Sequence, residues 1–150
     1  IVNFYLASHK SFFSNSNKLT INNLGWLTQK KLNEYMNKCH VAYLPYRSEP
    51  KFKHQMKYAF PGKSGFYISN NLPVFFHGPT YSSFNTFLKN YNVGVSCDSL
   101  DPDVLSSKII EFVNSPSFYL NCQNECKKSF NKKFSNEILN ESVVKFFDNK

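Results

Sequence analysis

Short apolar runs alternate along this chain with longer stretches in which apolar residues recur every three to four positions. Five runs read as strands: Val2–Leu6, Leu19–Asn23, Val41–Leu44, Pro73–Phe76 and Val93–Val95. Apart from the half-polar second run, they lack the strict alternation of a sheet with one wet face. Continuous apolar runs suit parallel strands covered on both faces. The stretches between them open on helix-start signals. Thr28 is set to cap a helix over Gln29–Lys38, and Thr80 one that runs to Asn90. Asp101-Pro102-Asp103 starts a helix through Val113, and Ser115-Pro116 another to about Asn131. Ser135 opens a last amphipathic helix with Ile138, Leu139, Val143, Phe146 and Phe147 on it. The alternation predicts an α/β fold: a Rossmann-like parallel sheet of about five to six strands flanked by helices. The two consecutive helices at the end break the pattern and are expected to pack outside the sheet.

Composition narrows the class. At 150 residues the chain has the length of one domain, and 41% hydrophobic against 19% charged residues is a globular balance. No stretch approaches the roughly 20 apolar residues of a bilayer span, and no signal peptide is visible. The sequence opens at Ile1, without Met, inside an apolar run, and reads as an excised domain of a longer protein. Cys39 and Cys97 are isolated and Cys122 and Cys126 stand four apart, a spacing that suits neither a zinc site nor a disulfide scaffold. They read as buried reduced thiols, which points to the cytoplasm; neither a metal nor a cofactor is expected.

The net charge of +8 attracts anions. Pairs such as Lys30-Lys31, Lys127-Lys128 and Lys132-Lys133 read as solvated faces, and no arginine stripe or nucleic-acid motif accompanies them. Nucleic acid is therefore not an expected partner. A position peripheral to the inner face of the membrane stays compatible with the charge.

Chemistry concentrates between Val41 and Gly78. Arg47–Tyr58 is the one long polar connection, and it follows a strand end, where open parallel sheets bind ligands. Phe60-Pro61-Gly62-Lys63 then opens a short helix that ends at Asn70-Asn71, before the strand at Leu72-Pro73-Val74. A helix N-terminus presents unpaired N–H groups and partial positive charge, so it suits a diphosphate. Gly62 lets a ligand approach the backbone, Lys63 adds a full charge and Ser64 a hydroxyl. The plain alternative is a surface helix with a solvated lysine; its position between a strand-and-loop and a second buried strand favours the anion site. The histidines His40, His54 and His77 have no carboxylate at useful spacing and read as structural or solvated. Trp26 reads as a core or rim residue, and Asn140-Glu141-Ser142, a glycosylation pattern, is discounted on a helix.

The segment FPGKSGFYISNNLPV resembles the donor-site helix of GT-B glycosyltransferases, most closely bacterial members of family 4. Leu24-Gly25-Trp26-Leu27 is similar to the turn that precedes it in that family, Asn92-Val93-Gly94-Val95 to a later strand, and Phe134-Ser135 to the start of the closing helix. The resemblance implies a single nucleotide-sugar-binding domain over residues 1–150, the C-terminal half of an enzyme whose N-terminal acceptor domain is missing here. Such a half is inactive alone. It implies transfer of a sugar from a nucleotide-diphosphate donor to a cell-surface glycan or lipopolysaccharide type of acceptor, with no metal.

By the same likeness Gly62, Lys63 and Ser64 would hold the diphosphate, and Gly25, Trp26 and Leu27 would flank the base. Tyr46, Arg47, Phe60 and Pro61 would line the donor cleft, while Gly78, Thr80, Tyr81 and Ser82 would contact sugar or phosphate. Positive groups would offset charge building on the departing diphosphate. No catalytic residue is assigned. The chain departs from the family in three places. The positions of a glutamate pair common in family 4 fall near Tyr58 and Phe66, so the pair is absent, and Asn71 displaces a glycine. Ala7-Ser8-His9-Lys10 stands where a glycine-rich turn is usual. An inactive scaffold domain of the same fold is the alternative, followed by a generic Rossmann-like binder of phosphorylated ligands or nucleic acid, against which the lack of clustered arginine counts.

Overall fold

The computed structural model describes residues 2–7 and 19–148, and the chain divides into two compact units with the boundary between Lys38 and Cys39. In the first unit, β1 (Val2–Leu6) pairs in parallel with β2 (Leu19–Asn23). Gly25 then turns the chain with a φ of 61°, a left-handed value that favours glycine. Thr28 caps α1 (Gln29–Met36) as expected, its hydroxyl accepting from the Lys31 amide at 3.4 Å. The Tyr35 ring of α1 lies 5.7 Å from that of Tyr5 in β1.

The second unit contains β3 (Ala42–Pro45), a 3-10 turn (Pro50–Phe52), α2 (Lys53–Tyr58), α3 (Gly62–Ser69), β4 (Val74–His77), α4 (Ser83–Tyr91), β5 (Gly94–Cys97), α5 (Pro102–Val113), α6 (Pro116–Lys133) and α7 (Asn136–Asp148). Its sheet is parallel in the order β3-β4-β5. Val74, Phe75 and Phe76 of the central strand are buried on both faces, which is what a continuous apolar run requires. On one face Phe75 packs with Cys97, Phe112 of α5 and Cys122 of α6. On the other, Phe76 meets Phe84 of α4, ring centres 5.4 Å apart. Gly94 sits where a Cβ would overlap the Val74 carbonyl, so the β4–β5 contact needs a bare backbone.

The fold is thus α/β with parallel strands and flanking helices. The expected single sheet of about five to six strands is corrected: the strands form two small sheets, of two and three. Hydrophobic runs locate strands, but partner choice depends on backbone groups that every strand offers alike. A second correction concerns α4. Ser82, not Thr80, is its cap, accepting from the Asn85 amide at 3.1 Å, while the Thr80 carbonyl accepts from the Asn85 side chain at 2.7 Å.

The end of α3 accounts for Asn71. The Asn71 amide donates to Ile68 O (3.0 Å) and the Leu72 amide to Tyr67 O (3.1 Å), the paired bonds of a Schellman ending. Asn71 occupies its left-handed position, φ 52°, which asparagine tolerates better than other side-chain-bearing residues. Helix α6 closes the amino ends of the three-stranded sheet. The Tyr119 hydroxyl donates to His40 O ahead of β3 (2.7 Å), and Cys126 Sγ lies 3.7 Å from Val93 O ahead of β5. The carboxyl ends are left to the loops. Among the described residues, no helix is long and apolar enough to cross a membrane.

Candidate anion-binding site

At the carboxyl edge the ladder continues past the strands: the Tyr46 amide donates to His77 O (2.7 Å) and the Gly78 amide to Cys97 O (3.0 Å). Gly78 passes so close to β3 that a Cβ would lie 2.6 Å from that of Tyr46. His77 locks the same edge. Its Nε2 lies 2.9 Å from Ser99 O, which can only accept, so Nε2 carries the proton and Nδ1 accepts from the Tyr43 hydroxyl at 2.6 Å. Burial, with Cys97 nearby, raises the Tyr43 pKa and keeps that hydroxyl a donor. His77 is therefore structural, as expected of it.

Helix α3 starts at this edge. The Ala59 carbonyl accepts from the Tyr46 hydroxyl (3.2 Å) and the Ser83 hydroxyl (2.6 Å), so three residues before Gly62 the chain is tied to the ends of both β3 and the β4–α4 loop. Phe60 packs edge-on against Phe84 and Phe87, at 5.5 and 5.2 Å. Pro61 is the N-cap residue and supplies no side-chain acceptor, and the first turn holds no acid. The N–H groups of Gly62 and Lys63 have no partner within the helix. A Cβ on Gly62 meets nothing within 4 Å, so the space over that backbone is open. Lys63 is exposed beside it.

Ser64 behaves otherwise. It is fully buried, its hydroxyl donating to Pro61 O at 2.6 Å and its amide to the same oxygen at 3.0 Å. Its hydroxyl stiffens the helix start and does not face a ligand. Ser82 is likewise buried and spent on capping α4.

Next to this start the loop after β3 forms a hollow of about 440 Å³, lined by Tyr46, Arg47, Ser48, Glu49, Pro50 and Leu100. The Arg47 guanidinium stacks 4.3 Å from the Phe52 ring centre, leaving its outer edge exposed. Tyr81 and Thr80 are exposed in the loop after β4, with the Lys53 ammonium 5.6 Å from the Tyr81 ring. Within the second unit, then, Tyr46, Arg47, Phe60, Gly62, Lys63, Thr80 and Tyr81 stand at the ends of β3 and β4 and the start of α3, while Pro61 and Gly78, expected to line the cleft and contact the ligand, are buried there. Sequence reasoning missed Leu100 and Lys53. Leu100 had a signal, an isolated leucine in the polar turn Asp98–Asp101; Lys53 had none beyond its place in the flagged loop.

Gly25, Trp26 and Leu27 belong to the first unit. Trp26 is 81% exposed, which removes the core alternative from its reading as a core or rim residue. His9 and Lys10 lie outside the described residues. His54 is exposed against Tyr58, ring centres 4.8 Å apart, and His40 is exposed. Among the described residues no cluster of His, Cys, Asp or Glu is arranged to hold a metal. All four cysteines are free; burial pushes the Cys122 thiol up to about 11 and Cys126 to about 12, with Glu125 adding to both, which makes them inert. Comparison with known proteins gives no match: no family model, curated protein or solved structure is similar to this chain.

Proposed function

We propose that this chain binds a nucleotide-diphosphate sugar at the start of α3, as the donor-binding half of a GT-B type glycosyltransferase. The observation that carries the reading is the unguarded N-terminus of α3 at the carboxyl edge of the sheet. Two backbone amides and the Lys63 ammonium are open to solvent there, with no acid in the turn. Paired phosphates satisfy those donors and offset the local positive charge, and the same interactions strengthen as charge builds on a departing diphosphate. The hollow of Tyr46, Arg47 and Leu100 is the space for the group the diphosphate carries. The acceptor, a glycan of the cell-surface or lipopolysaccharide type, would be held by a partner domain.

The second reading, a scaffold domain without activity, is favoured by the absence, near Tyr58 and Phe66, of the acidic pair that many family 4 enzymes carry. Calorimetric titration with uridine and guanosine diphosphates, and with the monophosphates, separates the two. Donor binding predicts that a diphosphate binds about tenfold more tightly than its monophosphate, because the second phosphate adds acceptors and negative charge at the two amides and the Lys63 ammonium. Absence of binding by every diphosphate would leave the scaffold reading.

A further inference from the structure

Five of the chain's eighteen lysines and arginines fall between residues 47 and 63, against one carboxylate, Glu49. Among the described residues none of these five cations forms an ion pair, so acids do not neutralise this segment. Its cations sit on aromatic rings instead. Lys51 lies 5.0 Å from the Phe52 ring centre, Lys53 5.6 Å from Tyr81 and Lys57 5.3 Å from Tyr58. Helix α2 buries Met56, which turns Lys53, His54, Lys57 and Tyr58 outward. Tyr58 is 64% exposed, its ring centre 4.8 Å from that of His54 and 5.3 Å from the Lys57 ammonium.

Lysines interleaved with exposed tyrosines match the two layers of an anionic bilayer surface. The ammonium groups reach lipid phosphates, and the rings settle at the headgroup level. Nucleic acid is the weaker fit. The segment has a single arginine, already stacked on Phe52, and no binding motif for bases.

We propose that the outer face of α2, with Lys51, Lys53, Lys57 and Tyr58, docks the chain onto a membrane carrying anionic phospholipid. This goes beyond donor binding, which uses Lys63 and the start of α3; of the docking lysines only Lys53 also borders the donor edge, beside Tyr81. The test is co-flotation of the chain with phosphatidylcholine vesicles, with and without phosphatidylglycerol. Binding is expected only to the anionic vesicles, weakening about fivefold for each lysine changed to serine. Tyr58→Ser should weaken it further at unchanged charge, and Lys108→Glu on α5 should leave it intact. Each variant is first checked for an unchanged melting temperature and circular dichroism spectrum.

Lys63→Ala separates the two proposals, since it should weaken diphosphate binding at least tenfold while vesicle binding persists. Equal binding to neutral vesicles, or equal loss with Lys108→Glu, overturns the docking surface. So does binding to a single-stranded oligonucleotide without binding to vesicles.

Discussion

Replacing Lys63 by alanine tests the central argument most directly. The side chain is exposed and forms no ion pair among the described residues, so its loss should change stability by less than about 0.5 kcal/mol. A hydrogen bond between an ammonium and a phosphate contributes about 1.5–3 kcal/mol, which corresponds to roughly 10- to 150-fold in affinity. The backbone amides of Gly62 and Lys63 survive the substitution, so weak binding should remain. Lys63→Arg should recover much of the loss, and Lys63→Glu should eliminate binding. Titration calorimetry of the nucleoside diphosphate, paired with urea melts of each variant, reads both quantities. The reasoning is refuted if affinity stays within about twofold of the parent, or if affinity and stability fall together.

Three further outcomes follow from packing. Gly94→Ala should abolish folding or lower stability by more than about 4 kcal/mol, because its Cβ would overlap the Val74 carbonyl and lie 2.7 Å from the Val74 amide nitrogen; circular dichroism and urea titration measure it. Ser129 on α6 is buried with its hydroxyl unpaired, so Ser129→Ala should raise stability by about 1 kcal/mol in the same titration. Burial raises the thiols of Cys122 and Cys126 from an ordinary 9.0 to about 11 and about 12, so the folded state holds those protons longer than the unfolded one. The stability this gives is fully present below pH 9 and is lost as pH rises through 11 to 12; urea melts across that range should show the decline, and Cys126→Ala should flatten it.

Local signals carried most of the fold. Asp101 caps α5 as its Asp-Pro-Asp sequence indicates, and Ser135 accepts from the Ile138 amide at the start of α7. These features depend on a few neighbouring residues. Thr80 and Ser82 offer the same hydroxyl chemistry two positions apart, and the choice fell to Ser82 because a turn through Thr80 and Tyr81, closed by the Ser82 amide on Pro79 O, precedes the helix. Strand partners are a long-range matter, so the division into two sheets was not visible. At the candidate site, helix phase decides the outcome. Ser64 shares a face with Ile68, four residues on and fully buried, so its inward turn was legible in the spacing, as was the outward turn of Lys63 one step earlier. The stacking of Arg47 on Phe52 and the ties to the Ala59 carbonyl depend on the fold and had no such signal.

The bond from Tyr119 to the carbonyl of His40 spans 79 residues of sequence. During synthesis the strands leave the ribosome well before the helix that seals them, and the nascent sheet must wait with one rim uncovered. Contacts of such long range slow folding and lengthen the exposure of sticky intermediates. Translation stopped short of Pro116 would leave the growing chain without Tyr119, Cys122 and Cys126, and a product of that length is expected to aggregate rather than to survive as a smaller binding module.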